Sequence, residues 1–359
     1  MQSTDHIDLL GEKVILLLKR LIATPSFSRE EQQTASLIRE FMDTQGITAE
    51  QHLCNVYARN KYFSPGKPTL LLNSHHDTVK PNKGYTLDPF FPLEENGKLY
   101  GLGSNDAGGS LMALLAVFLH YYARTDLRCN LVFAATAEEE ISGQNGIEAL
   151  LPLLGKMDCA IVGEPTQMQM AVAEKGLLVI DAVANGIAGH AARDEGENAL
   201  YTAMEDIQWL RQHAFDKVSP FLGPVKTTVT VIETDNKAHN VVPAHCHFVV
   251  DCRVNECYSF EEIVEILRAR LKSQLTPRSM RLRSTSISLD HPLVQAGIQT
   301  GRSCFGSPTT SDKALMPFPA LKMGPGDSSR SHTADEFIYL NEIKEGIRIY
   351  IQLLDKMLQ

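Results

Sequence analysis

Thr69-Leu70-Leu71-Leu72-Asn73-Ser74-His75-His76-Asp77 is an apolar run that ends abruptly in polar side chains able to hold a metal. Two later stretches repeat the form. Asn130-Leu131-Val132-Phe133-Ala134-Ala135 runs on to Glu138-Glu139-Glu140, and Cys159-Ala160-Ile161-Val162-Gly163 runs on to Glu164-Pro165. Short, continuously apolar strands separated by helical patterns are what a largely parallel sheet covered on both faces looks like in sequence. Open α/β sheets place their sites at the carboxyl ends of such strands. The three polar endings therefore predict both the fold and the position of a site.

Working outward, Ile7, Leu10, Val14, Leu17, Leu18 and Leu21 recur at helical spacing and predict an amphipathic first helix over residues 6–21. Ser28 followed three residues later by Glu31 reads as a capping box for a second helix that ends at Thr44, before Gly46. Gly101-Leu102-Gly103-Ser104-Asn105-Asp106-Ala107-Gly108-Gly109 presents one aspartate on a glycine-rich turn ahead of a helix over 110–122. Near Ala173 the texture changes. Strands at 176–185, 227–232, 245–254 and 281–289 and helices at 198–213 and 260–275 predict an inserted α+β unit, and the chain ends in a helix over 341–358. The expected organisation is an α/β domain from residues 1–174 and 291–359, interrupted by a lid and dimerisation domain over 175–290.

Composition narrows the function. The chain has 359 residues, 43% of them hydrophobic, and a formal charge of -9. That balance argues against nucleic acid and for a small ligand. The seven cysteines include no C-x-x-C pair, and the start of the chain has no signal-peptide pattern or membrane span. The expectation is a cytoplasmic protein.

At a strand end side chains alternate in direction, so His75 and Asp77 share a side and His76 points away. His75 could bind a metal through one ring nitrogen while Asp77 supports the other; a solvated loop end is the plainer alternative. Glu138, Glu139 and Glu140 repel one another unless cations compensate them, although a solvated run opening a helix would look alike. With Asp106, Glu164 and the late His332, the set holds two imidazoles and three carboxylates besides a free glutamate. Such a mixed nitrogen and oxygen set suits zinc. Two divalent cations there would make a nucleophile from water and polarise a carbonyl.

SHHDTV, YGLGSNDAGG, TAEEE, VGEPT and GPGDSSRSHTADEF, in this order and at these intervals, resemble the M20 metallopeptidase family, in particular its acetylornithine deacetylase and succinyl-diaminopimelate desuccinylase branch. The resemblance implies that His75 and Glu164 hold one zinc, Glu140 and His332 the other, with Asp106 bridging, Glu139 as general base and Asp77 assisting. Cobalt would substitute for zinc. It also implies a cis bond between Asp106 and Ala107. Gly186 to His190 resembles the family segment whose histidine completes a partner subunit's site in a homodimer, although Ala191-Ala192-Arg193-Asp194 replaces the usual following proline. Asn240 and Arg253 are the expected holders of the substrate carboxylate, which arginine grips with two hydrogen bonds. His245 and His247 lack the spacing of a separate zinc site.

The implied reaction removes an N-acyl group from a small amino acid, with an acetylated intermediate of arginine synthesis leading. Acetyl is expected over succinyl because Lys313 and Arg330, which could welcome a second carboxylate, read as solvated surface cations. Asp312 is a candidate partner for a substrate ammonium. The rivals are a dipeptidase or aminopeptidase of the same family and a metal-binding protein that has lost catalysis.

Overall fold

A computed structural model describes residues 2–193 and 195–358. In chain order the principal strands are β1 (Glu50–His52), β2 (Asn55–Arg59), β3 (Thr69–His75), β4 (Asn130–Thr136), β5 (Cys159–Val162), β6 (Met170–Glu174), β7 (Gly176–Asn185), β8 (Lys226–Thr234), β9 (His245–Val254), β10 (Gln274–Pro277) and β11 (Ala320–Lys322). The α-helices are α1 (Gln2–Ile22), α2 (Gln32–Thr44), α3 (Gly109–Tyr121), α4 (Ile147–Leu154), α5 (Ala199–Gln212), α6 (Phe260–Arg268), α7 (Pro292–Gln299) and α8 (Leu340–Leu358). The chain divides into two compact units, one of Met1–Val172, Ile287–Phe305 and Ser311–Gln359, the other of Ala173–Ser286 and Gly306–Thr310.

The first unit is built on a sheet of strand order β1-β2-β4-β3-β5-β11-β6. Its centre, β4-β3-β5-β11, is parallel, and the outer strands pair antiparallel. Every residue of β3, β4 and β5 is buried, which is why these strands read as unbroken apolar runs. On one face Leu71, Val132, Ala160 and Val162 pack against Ile147, Leu150 and Leu154 of α4. On the other, α3 lies against β3 and β4, with the Phe118 and Phe133 rings 5.8 Å apart. Apolar on every side, α3 is itself covered by α1 and α8. Truncating one of these closed-in leucines to alanine would cost about 2–5 kcal/mol.

In the second unit β8-β9-β7-β10 form an antiparallel sheet. Cys246, Phe248, Val250 and Cys252 line its covered face with residues of α5 and α6, as their alternation in β9 predicts. Three expectations change here. The helix predicted over 260–275 ends at Arg268 because Asp206, buried in α5, accepts the backbone N–H groups of Lys272 and Ser273 and the Ser273 hydroxyl. The freed chain becomes β10, and the strand predicted over 281–289 is reduced to the pair Thr285–Ser286. Residues 306–310, expected in the 291–359 segment, belong to the second unit, where Lys175 N donates to Ser307 O and Thr310 Oγ1 donates to Lys175 O.

No helix among the described residues is long and apolar enough to cross a membrane. All seven cysteines are free thiols.

Candidate metal centre

The carboxyl ends of β3, β4 and β5 deliver His75, the turn Glu138–Glu140 and Glu164. His75 is buried at the last position of β3. Its Nδ1 donates to the main-chain oxygen of Asp77 at 3.0 Å. A carbonyl oxygen only accepts, so Nδ1 carries the hydrogen and Nε2 faces inward. That Nε2 is buried without a hydrogen-bond partner, and it stands 3.4 Å from Asp106 Oδ1 and 3.8 Å from both Glu139 Oε2 and Glu164 Oε1. His332 Nε2 donates to Glu140 Oε2 at 2.9 Å and lies 3.6 Å from Asp106 Oδ2. Asp106 thus has one oxygen toward each histidine, the geometry a bridging carboxylate requires. Two sets, His75–Asp106–Glu140 and His75–Glu139–Glu164, have their ligand atoms mutually within 4.8 Å.

The electrostatics show negative charge concentrated and buried. Burial pushes the Glu164 carboxyl up to about 8, against the pull of Lys322 and His75, and raises Glu139 well above the usual range. Its hydrogen bond to Glu140 carries His332 up to about 9. Burial works against a charged His75, yet Glu139, Asp106 and Asp77 outweigh it and raise the imidazole well above its ordinary value. A buried imidazole nitrogen aimed at three carboxylates needs either a proton or a cation among them, and the donor set fits divalent metal.

The turn carrying the acids is held by other carboxylates. Glu138 N donates to Glu31 Oε1, Glu139 N to Asp77 Oδ1 and Glu140 N to Asp77 Oδ2, at 3.1, 3.1 and 3.2 Å. Ser28 Oγ donates to Asp77 Oδ2 at 2.7 Å. Burial would raise Asp77, but the His75 imidazole, whose Nδ1 also lies 3.4 Å from Asp77 Oδ1, and the bond from Ser28 prevail and hold it below the usual carboxylate range. Ser28 and Glu31 therefore do not form the expected capping box. Glu31 sits at the cap of α2 with no side-chain bond to the helix, its Oε1 also taking Arg29 N. Glu138 points away from the cluster and accepts from Asn145. His76 is turned aside toward Thr34 and the Cys54 oxygen.

The Asp106–Ala107 bond is cis, as the resemblance implies. Glu336, inside the GPGDSSRSHTADEF stretch but given no role from sequence, accepts the N–H groups of Asn105 and Asp106 at 2.8 and 2.9 Å. Its burial, with Asp106 nearby, raises its carboxyl to about 8. Asp335, its neighbour, accepts from Thr86 and Leu87, and Asn82 Nδ2 donates to the main-chain oxygen of His332, whose φ is 60°. None of these contacts follows a helical or strand period, so pattern reading had no means of finding them.

The remaining candidates are placed differently. Asp312 is buried, and its Oδ2 accepts both Asn73 Nδ2 and Thr136 Oγ1, so it ties β3 to β4 rather than presenting itself to an ammonium. Burial lifts it to about 6. Neither Lys313 nor Arg330 is a solvated surface cation. Lys313 is 1% exposed, with Nζ donating to Val172 O, while Arg330 makes two bonds to Glu342 and lies over the Phe337 and Tyr339 rings.

In the second unit His190 is exposed and close to Asn240, whose oxygen accepts Ala191 N. Asp194 lies outside the described residues. Arg253 is gripped by Asp251 through two bonds, at 2.8 and 3.0 Å. It stands at the far end of β9, about 27 Å of extended chain beyond His245 at about 3.4 Å per residue. Asn240 precedes the other end of that strand, so the two candidates lie toward opposite ends of β9. His247 pairs with Asp181 and His245 with Asn185.

A mostly parallel α/β sheet with His75 and Glu164 at its strand ends, and Asp106, Glu139, Glu140 and His332 brought to them on turns, is the arrangement of a metal-dependent hydrolase. Residues 71–356 match the profile of Peptidase family M20/M25/M40, and the chain belongs to that family. It is 28% identical to an acetylornithine deacetylase of Proteus mirabilis over 95% of this chain and 96% of that one. It is 23% identical to a succinyl-diaminopimelate desuccinylase of Delftia acidovorans over 96% and 98%. The fold matches the aminopeptidase PepT of Bacillus cereus, with a TM-score of 0.77 at 16% identity over 96% and 98% of the chains. It also matches a dinuclear metal-binding M20 peptidase of Bacillus subtilis, with a TM-score of 0.73 at 15% identity over 98% and 99%.

Proposed function

We propose that this M20 hydrolase cleaves the amide bond of a small N-acyl-amino acid, with N-acetylornithine the leading substrate and Glu139 the general base. The observation that supports it most is Glu139 itself. Its carboxylate stands beside the inward nitrogen of His75, with Asp106, Glu140 and Glu164 close by and His332 bonded to Glu140. His75 and Glu164 would hold one cation, Glu140 and His332 the other, with Asp106 between. When bound, the two divalent cations, zinc with cobalt as a substitute, supply polarisation of the amide carbonyl and acidification of a water.

Glu139 then takes a proton from the attacking water and returns it to the leaving amine. A carboxyl whose ordinary proton affinity is raised by burial is suited to both halves of that transfer. Asp77 fixes the backbone of Glu139 and so the direction of the base. His190 would donate to the developing oxyanion of a partner subunit's site in a homodimer. The separation of Asn240 from Arg253 fits such sharing, because a two-fold pair could bring Asn240 of one chain and Arg253 of the other to a single carboxylate once Arg253 leaves Asp251. The seven free thiols suit the cytoplasm.

A succinyl substrate is the second reading, favoured by the relatives named succinyl-diaminopimelate desuccinylase. Against it, Arg330 is already committed to Glu342. The test is kcat/KM on N-acetyl and N-succinyl derivatives of ornithine, citrulline, lysine and diaminopimelate. N-acetylornithine should lead. A tenfold preference for a succinyl compound, about 1.4 kcal/mol of transition-state binding, replaces the acetyl reading. Turnover of dipeptides alone replaces the deacylase reading altogether.

A further inference from the structure

A buried carboxylate near an acidic cluster is costly unless it does something there. Glu336 is 2% exposed and lies close enough to Asp106 for the two charges to oppose each other. Its Oε1 nonetheless receives two consecutive backbone N–H groups, from Asn105 and Asp106. Asn105 in turn is locked by its side chain to the main chain of Asp327, accepting from its N and donating to its O. The N–H groups of Asn105 and Asp106 and the Asn105 side chain, on the amino side of the Asp106 carboxylate, are thus all held.

We infer that Glu336 is a positioning residue for Asp106: by accepting the Asn105 and Asp106 N–H groups it sets the direction of the carboxylate that faces His75 on one side and His332 on the other. The inference rests on the two-cation reading above. Position matters because Asp106 has one oxygen 3.4 Å from His75 and the other 3.6 Å from His332, so a small rotation of its peptide moves it away from one of them. Glu336 lies only four residues beyond His332. The turn that presents one metal-facing side chain therefore also aims another, and loss of the aim should be felt at both cation positions.

The decisive pair of variants separates reach from charge. Glu336→Asp keeps the charge and withdraws the oxygen by about one methylene, roughly 1.5 Å. Glu336→Gln keeps an oxygen at full reach and removes the charge. Each purified protein would be stripped with a chelator and titrated with Co2+ by calorimetry, the visible absorption of the loaded form recorded, and kcat and KM measured separately. Glu336→Asp should bind Co2+ about 10- to 100-fold more weakly, as removal of an outer support typically does. Its cobalt absorption should change, and its kcat should fall more than its KM rises. Glu336→Gln should stay within about threefold of the parent in affinity.

Unchanged affinity and absorption in Glu336→Asp, even with a lowered unfolding midpoint, would reduce Glu336 to a structural residue and overturn the inference. So would a Glu336→Gln variant impaired tenfold or more, since charge rather than the accepting oxygen would then matter; this arm can overturn the inference even if Glu336→Asp does not fold. A parent protein that binds fewer than two Co2+ per chain defeats the two-cation reading instead, whatever the variants do.

Discussion

Replacing Asp77 with alanine tests how far the acid turn depends on one side chain. The carboxylate accepts three bonds that the substitution deletes, from Ser28 Oγ, Glu139 N and Glu140 N. The His75 bond to the main-chain oxygen of residue 77 survives, although the imidazole loses the carboxylate oxygen 3.4 Å from its Nδ1. A buried donor left without an acceptor costs about 1–3 kcal/mol, so three of them bound the loss at about 3–9 kcal/mol. The Ser28 hydroxyl can turn elsewhere and the two backbone bonds are only part-buried, which places the expected loss at the lower end, about 3–5 kcal/mol. Asp77→Asn keeps one oxygen for one backbone N–H and should lose only about 1–3 kcal/mol. Denaturant unfolding of chelator-treated protein measures both, and kcat/KM of the reloaded enzymes should fall in the same order because Glu139 moves with its backbone. Asp77→Ala within 1 kcal/mol of the parent, or Asp77→Asn the worse of the two, would refute the reasoning.

Glu139→Gln should keep both cations by elemental analysis and lose about 100- to 10,000-fold in kcat, whereas His332→Ala should lower metal content; a glutamine variant with half the parent activity would remove Glu139 from the base role. Mixing inactive Glu139→Gln with inactive His190→Ala should restore partial activity in heterodimers, and no recovery after confirmed subunit exchange would end the shared-site proposal. Asp312 has its carboxyl raised from 3.8 to about 6, so the stability tied to its protonated form is complete below pH 4 and lost as pH rises through 6. In metal-free protein, Asp312→Asn should gain on the parent by about 3 kcal/mol between pH 4 and pH 8, measured by unfolding at each pH, and a constant difference would discard the assignment.

The parts of the site that ride on the sheet were readable because burial on both faces forces an unbroken apolar run, and a sudden His or Glu after such a run has few explanations. His75, Glu139, Glu140 and Glu164 all follow that rule. Asp106, on a glycine-rich turn, and the late His332 are candidates by residue type, and only the ordered motifs give them their ligand roles. What sequence could not give was the identity of bonding partners across the fold. Ser28 and Glu31 have the spacing of a capping box, yet the acceptor Asp77 and the donor Glu138 N compete for them and win. Asp206 ends α6 from another helix. Lys313 looks like any loop lysine until the chain around it closes.

His332 differs from the other side chains of the cluster in one respect with practical weight. Its side chain is 54% exposed, whereas that of His75 is 1% exposed. If each histidine holds one cation, the two ions live in unequal surroundings: one borders solvent, and the other can leave only after several buried groups give way. Exchange would then be ordered in time. A chelator should empty the His332 side in a fast phase and the His75 side in a slow one, and a half-loaded species would accumulate between them. Preparations of this enzyme would accordingly vary in metal content with their history, and activity per chain would follow the fast-exchanging position.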